Sequence, residues 1–242
     1  MAGAQARHHD ADVSSTKMMT PWIIALLLPV MLSGCNRTEP DKPSVGPAAK
    51  ATGQKPEKQV IVSPPLVAAA RNQIGRTTIY DPAYISLKYP GGDVPIERGV
   101  CTDVVIRALR DSLNMDLQKL VHEDMKLAFS QYPTQWGLKK PDRNIDHRRV
   151  PNLATYFGRK GYSVGVSQTP GDYLPGDLVT CTVGRNLPHI MLVSDARTTA
   201  GVPLVIHNIG SGAKEEDRLF DFPITGHYRI QTKQIPISPP RD

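Results

Sequence analysis

The chain has 242 residues, with 29 Lys and Arg against 23 Asp and Glu, a formal net charge of +6. That length accommodates one large domain or two small ones. Its three cysteines lie far apart, which excludes a zinc-type set of cysteine pairs. The basic balance speaks to anionic partners and solubility, not to fold.

Trp22 to Leu32 is an apolar run, preceded by Arg7 and Lys17 and by no acid after Asp12. A membrane-crossing helix needs about 20 apolar residues, so this run has the length of a signal-peptide core. The following Leu32-Ser33-Gly34-Cys35 resembles the lipobox of bacterial lipoproteins. The resemblance implies a signal peptide over 1–34, a Cys35 that carries a diacylglyceryl group, and a stable membrane anchor. Asn36 after that cysteine resembles, in enteric-type lipoproteins, release to the periplasmic side of the outer membrane. An exported chain is not expected to meet nucleic acid; anionic wall polymer or lipid head groups suit its charge better.

From Asn36 onward Pro40, Pro43, Pro47 and Pro56 stand among Lys, Glu, Ala and Gly without an aromatic residue. Such a segment buries too little apolar surface to offset its ordering entropy, and 35–62 reads as a disordered tether. Globular character returns over 63–231, long enough for one sizeable core, and 232–242 reads as a frayed tail.

Within that domain Ser63-Pro64 caps a helix that ends near Gly75. Residues 81–99 are rich in Pro, Gly and Tyr and read as loop. Val100 to Leu113 is helical, with Val104, Val105, Ala108 and Leu109 on one stripe and Cys101 in or just before its first turn. Asp116 caps a third helix through Leu117, Leu120, Val121, Met125 and Ala128. Residues 142–150 read as polar loop, and Pro151 opens a short helix that stops by Gly161. Short strands follow over 162–166, 178–183, 189–193, 204–209 and 227–230. Helices first and neighbouring strands afterwards predict an α+β domain with a largely antiparallel sheet.

Cys101 is the leading candidate for chemistry. Unpaired N–H groups and the positive end of a helix dipole favour thiolate at a helix start. A nucleophilic cysteine needs an imidazole within reach, and that imidazole needs an orienting partner. His8 and His9 leave with the signal, and His122 stands beside Glu123 and Asp124 on a surface helix. His189 opens one strand and His207 lies in the next. A hairpin turning through 195–201 puts 189–193 beside 204–208, with His189, Met191 and Val193 on one face together with Val205 and His207. A cysteine, a histidine base and a polar orienter fit this layout. An inert buried thiol with strand-end histidines fits it equally well. So does a Cys101–Cys181 disulfide in an oxidising compartment, although Cys181 shares a strand face with Val179 and Val183 and reads as core. Arg148 and Arg149 suit a carboxylate clamp or a solvated basic turn. Asp142, Asp146 and His147 lack the spacing of a metal site. Asp103 suits the helix start by its charge alone, and Tyr80, Tyr84 and Tyr89 are candidates for lining a cleft.

Gly99-Val100-Cys101-Thr102-Asp103-Val104-Val105, Leu174-Pro175-Gly176-Asp177-Leu178-Val179, His189-Ile190-Met191-Leu192-Val193 and His207 resemble, in that order, the NlpC-type papain-like cysteine peptidases. More closely, the chain resembles the bacterial domain of unknown function numbered 1287, through Gly91-Gly92-Asp93-Val94-Pro95, the 144–153 stretch, His207-Asn208-Ile209-Gly210 and Gly226-His227-Tyr228-Arg229. The resemblance covers roughly 66–230. It implies a papain-like fold with N-terminal helices packed on the sheet, Cys101 as nucleophile, His189 as general base and His207 as orienter. It further implies a cysteine amide hydrolase that requires no metal or cofactor and, together with the export signal, peptidoglycan stem peptides as substrate; Arg148, Arg149 and Tyr84 are candidate contacts for such a substrate, and a monomer is expected. Val100 and Met191 depart from the usual acid and glycine, and both are expected to reshape the cleft.

Overall fold

The computed structural model describes residues 64–230. The signal segment 1–34, the Cys35 lipidation site, the tether and the tail 232–242 lie outside the described residues. Helix α1 (Pro65–Arg71) is followed by a two-stranded parallel pair, β1 (Ile79–Tyr80) and β2 (Arg98–Gly99). Then come α2 (Cys101–Leu113), α3 (Leu117–Ala128) and α4 (Val150–Arg159). The remaining strands are β3 (Ser163–Val164), β4 (Leu178–Val183), β5 (Leu187–Arg197), β6 (Pro203–His207), β7 (Lys214–Glu216) and β8 (Ile224–Tyr228). They form one six-stranded sheet in the order β3-β8-β4-β5-β6-β7, antiparallel at every pairing. The α+β expectation therefore holds, with the helices preceding the sheet in the chain.

Both faces of the sheet are covered. Leu178, Ile190, Leu192 and Ile206 join Val104, Leu109, Leu153 and Phe157 in a core shared with the helices. The alternate residues Val179, Cys181, Met191, Val193 and Val205 pack with Tyr173 and Leu219 in a second core. Two-sided burial explains why these strands read as unbroken apolar runs and not as an apolar–polar alternation. It also explains Met191. A side chain in the second core fills space there, so Met191 does not reshape the cleft in front of Cys101.

Several boundaries differ from expectation for identifiable reasons. Strand β5 starts two residues early and runs to Arg197, because a tight turn with Asn186 at φ 67° links it to β4 in register Cys181↔His189. Residues 214–216 pair with β6 although Lys214, Glu215 and Glu216 carry no apolar signal. The supposed polar loop 142–150 contains a buried 3-10 turn, Asp146–Arg148.

That turn is buried because its charges are matched. Arg148 Nε and Nη2 donate to Asp103 Oδ1 and Oδ2, both at 2.9 Å, and the two side chains are 2% and 3% exposed. Asp103 Oδ2 also accepts the Val100 N–H at 2.7 Å, closing the first turn of α2. Arg148 donates further to the carbonyls of Ala83 (3.1 Å) and Asp81 (3.2 Å). A Cβ on Gly99 would stand 3.1 Å from that of Asp103, so glycine there lets the carboxylate approach β2. Removing one partner of such a pair strands the other charge in a dry site, which costs roughly 3–5 kcal/mol. Asp103→Asn is thus expected to lower the unfolding free energy by roughly that amount in urea titrations. A loss below about 1 kcal/mol would show that water reaches Arg148.

Candidate active site

Cys101 is the first residue of α2, and its side chain belongs to the helix-side core with 5% exposure. Burial pushes its thiol up to about 11; the Ile190 N–H facing the sulfur pulls the other way, as do those of Thr102 and Cys101, while the charge of Asp103 adds to the rise. At neutral pH the sulfur therefore carries its proton, in spite of the helix start. Cys181 is a second buried free thiol, pushed up to about 12 by burial and then by its neighbour Cys101. The two cysteines are near each other and not bonded. A sulfur against the Ile190 N–H is also one residue along the chain from His189.

The histidines are brought together as expected. His189 Nε2 and His207 Nδ1 are 2.8 Å apart, and His207 Nε2 lies 3.2 Å from Glu216 Oε2. This geometry selects the tautomers. A carboxylate only accepts, so His207 carries its proton on Nε2 and offers a lone pair at Nδ1. His189 must then donate from Nε2, which leaves its Nδ1 as the basic nitrogen. Burial holds His189 down at about 3, and the adjacent His207 acts in the same direction. His207 is also lowered by burial, against the opposing pull of Glu216. Glu216 is the member of this chain that the sequence reading missed. Its polar strand had no apolar signal, and only the β6–β7 register makes it a neighbour of His207.

No hydrogen bond joins Cys101 to His189 among the described residues. His189 lies in register with Cys181, in the row that continues to Met191, whereas Cys101 packs with the row of Ile190 and Leu192. Asn208 ties the end of β6 to the approach to α2. Its side chain, fully buried, donates to the carbonyl of Gly99 at 3.0 Å. One residue after His207 thus grips the chain two residues before Cys101.

A cleft of about 270 Å³ opens in front of Cys101, with Val100, Tyr80, Trp136, Arg149 and Pro188 in its walls. The two adjacent arginines part company here. Arg148 borders the cleft, but its guanidinium is taken up by Asp103 and two carbonyls, so it is not a carboxylate clamp. Arg149 lies over the Trp136 ring at 4.2 Å and gives one bond, from Nη1 to Asp146 Oδ1 at 3.1 Å. Stacking fixes the plane of the guanidinium and leaves further N–H groups for a ligand. Tyr84 is 59% exposed, and its hydroxyl donates to Asp142 Oδ2 at 3.0 Å. It braces the 142–144 loop, while Tyr80 takes the place in the cleft. Asp177 of the Gly-Asp motif is an anchor for β8: it accepts from Arg229 Nη2 at 2.7 Å and from the Leu174 N–H at 2.8 Å, and meets His227 Nε2 at 2.8 Å.

Comparison with known proteins identifies one family model, "Domain of unknown function (DUF1287)", which matches residues 67–230. The "Uncharacterized protein YijF" of Escherichia coli (strain K12) is 60% identical over 164 residues, covering 68% of this chain and 80% of that protein.

Two outcomes follow from the protonation states. Alkylation of Cys101 by iodoacetamide is expected to be slow at pH 7 and to climb toward pH 11; a rate already at its plateau below pH 7 would mean a preformed thiolate. His189, at about 3, and His147, held at about 4 by burial, bind protons more readily in the unfolded chain. Their stabilising effect is complete above the ordinary histidine value and is lost as pH falls through it. The urea midpoint should therefore drop from pH 6.5 to 4, each group contributing up to about 1.4 kcal/mol per pH unit. A midpoint flat across that window would contradict the burial of both rings.

Proposed function

This chain belongs to the DUF1287 family, and we propose that it is a cysteine-dependent amide hydrolase of the bacterial cell envelope. In this reading Leu32-Ser33-Gly34-Cys35 directs export and lipid anchoring, and the domain works as a monomer on peptidoglycan stem peptides. The fold is read as a papain-like, NlpC-type arrangement with helix α2 carrying the nucleophile. The observation that supports the reading best is the His189–His207–Glu216 chain. It leaves the lone pair on the His189 nitrogen that does not face His207, one residue along the chain from Ile190, whose N–H faces the Cys101 sulfur.

The chemistry proceeds from a neutral resting pair. The Cys101 thiol gives its proton to His189 Nδ1 as the sulfur attacks the amide carbonyl, so that charge separates only in the presence of substrate. The attack forms a C–S bond, and the carbonyl oxygen becomes an oxyanion near the N–H groups at the start of α2. Collapse breaks the C–N bond as the His189 imidazolium protonates the leaving amine. Water then gives a proton to His189, attacks the thioester and releases the carboxylic acid, which restores the thiol. Arg149 on Trp136 offers a carboxylate contact within the cleft. No metal takes part in these steps.

A second reading, a non-catalytic wall-binding lipoprotein, draws on the lack of a Cys101–His189 hydrogen bond among the described residues and on the 5% exposure of the cysteine. Incubation of purified peptidoglycan with the protein, with mass spectrometry of released fragments, separates the two. The hydrolase reading expects new fragments from the wild type, none from Cys101→Ala, and at least a roughly 100-fold slower release from His189→Ala. Glu216→Gln keeps the shape but weakens the tautomer selection, with an expected loss of about 10-fold. Fragments released equally by Cys101→Ala would remove the nucleophile assignment. Retention on insoluble peptidoglycan without fragments from any variant would favour the binding reading.

A further inference from the structure

The segment that supplies Trp136 and Ile145 to the Cys101 cleft makes an excursion between them, 137–144. This excursion borders a separate cavity of about 570 Å³, whose wall includes Lys139, Lys140, Arg143 and His122. Among the described residues no ion pair holds Lys139, Lys140 or Arg143, and all three are exposed. The acids nearby are committed elsewhere. Asp142 Oδ1 accepts the Asn144 N–H at 2.9 Å and Oδ2 accepts the Tyr84 hydroxyl at 3.0 Å. Glu123 on α3 stands 3.9 Å from Lys119.

The excursion is held in shape from below. Gln118, fully buried on α3, donates to the carbonyls of Arg143 (3.2 Å) and Lys88 (3.0 Å) and accepts the Gly92 N–H at 2.9 Å. Asn144 Oδ1 accepts the Leu87 N–H at 3.0 Å. Arg143 lies over the Tyr89 ring at 5.6 Å, and Tyr89 meets the His122 ring edge-on at 5.3 Å. Three like charges are thus carried on one braced loop around one cavity, against a single carboxylate among the described residues of its wall, Asp142, whose two oxygens already accept from the Asn144 N–H and the Tyr84 hydroxyl. Their mutual repulsion falls when an anion enters. Two ammonium groups and a guanidinium on separate stems suit the tetrahedrally arranged oxygens of a phosphate group, in a diester or a monoester, better than the flat edge of a carboxylate.

We propose that this cavity binds a phosphate group, either the phosphodiester of a lipid head group or a soluble phosphate ester. The site is distinct from the Cys101 cleft and does not depend on its chemistry. Full-length protein and a Lys139→Gln/Lys140→Gln/Arg143→Gln variant would be titrated with glycerol phosphate and with sodium chloride of equal ionic strength, followed by calorimetry. In parallel, both would be sedimented with phosphatidylglycerol and with phosphatidylcholine vesicles; the apolar N-terminal segment is common to the two proteins, so their difference reports the loop. The expected result is an affinity about tenfold weaker in the variant in at least one arm. Cys101 alkylation should be unchanged, which verifies the fold. Loss in both arms assigns the site to phosphate esters in general, and loss only with phosphatidylglycerol vesicles assigns it to a lipid head group. Equal behaviour of the two proteins in both arms, or a response to chloride equal to that with glycerol phosphate, would overturn the site.

Discussion

The bidentate contact between Arg148 and Asp103 organises three walls of the cleft at once. Asp103 closes the first turn of α2 through the Val100 N–H, and Arg148 reaches from the 146–148 turn to the carbonyls of Asp81 and Ala83. The helix start, the loop before β2 and the approach to α4 are therefore fixed by a single pair of charges. Such a pair adds little net stability over an apolar replacement, but it tolerates only one geometry. Its worth here is positional. Cys101 is held two residues from Asp103, with its sulfur against β5.

Desolvation then sets the chemistry of what is positioned. The same burial that raises the thiol lowers both imidazoles, so the sulfur and the two rings all rest neutral. A thiolate–imidazolium pair would need more polar surroundings than this core offers. The hydrogen-bonded chain ending at Glu216 compensates by choosing a tautomer, keeping a lone pair on the first ring without charging it. In the hydrolase proposed above, such a neutral pair would separate charge only with substrate in place.

Much of this was legible in the residues. The stripe of Val104, Val105, Ala108 and Leu109 fixed the buried side of α2, Asp116 caps α3 as its type suggests, and alternation from His189 to Val193 paired the correct rows of β5 and β6. What escaped notice was polar and distant in sequence. Glu216 acts through strand pairing, Asn208 through a bond to a carbonyl 109 residues away, and Arg148 through a carboxylate on another element. Local pattern carries no signal for such partners, since a Glu, an Asn or an Arg in a turn looks solvated until the fold removes the water. The adjacent Arg148 and Arg149 make the point: identical in type, one is consumed by the structure and the other faces the cleft.

The account stands on His189 keeping its basic nitrogen at Nδ1, and nitrogen-15 spectroscopy of the histidine rings reads that directly. At pH 7 it predicts protonated Nε2 and bare Nδ1 on His189, with His207 likewise protonated at Nε2. A proton on His189 Nδ1 would leave nothing to receive the Cys101 proton and would contradict the assignment of His189 as base.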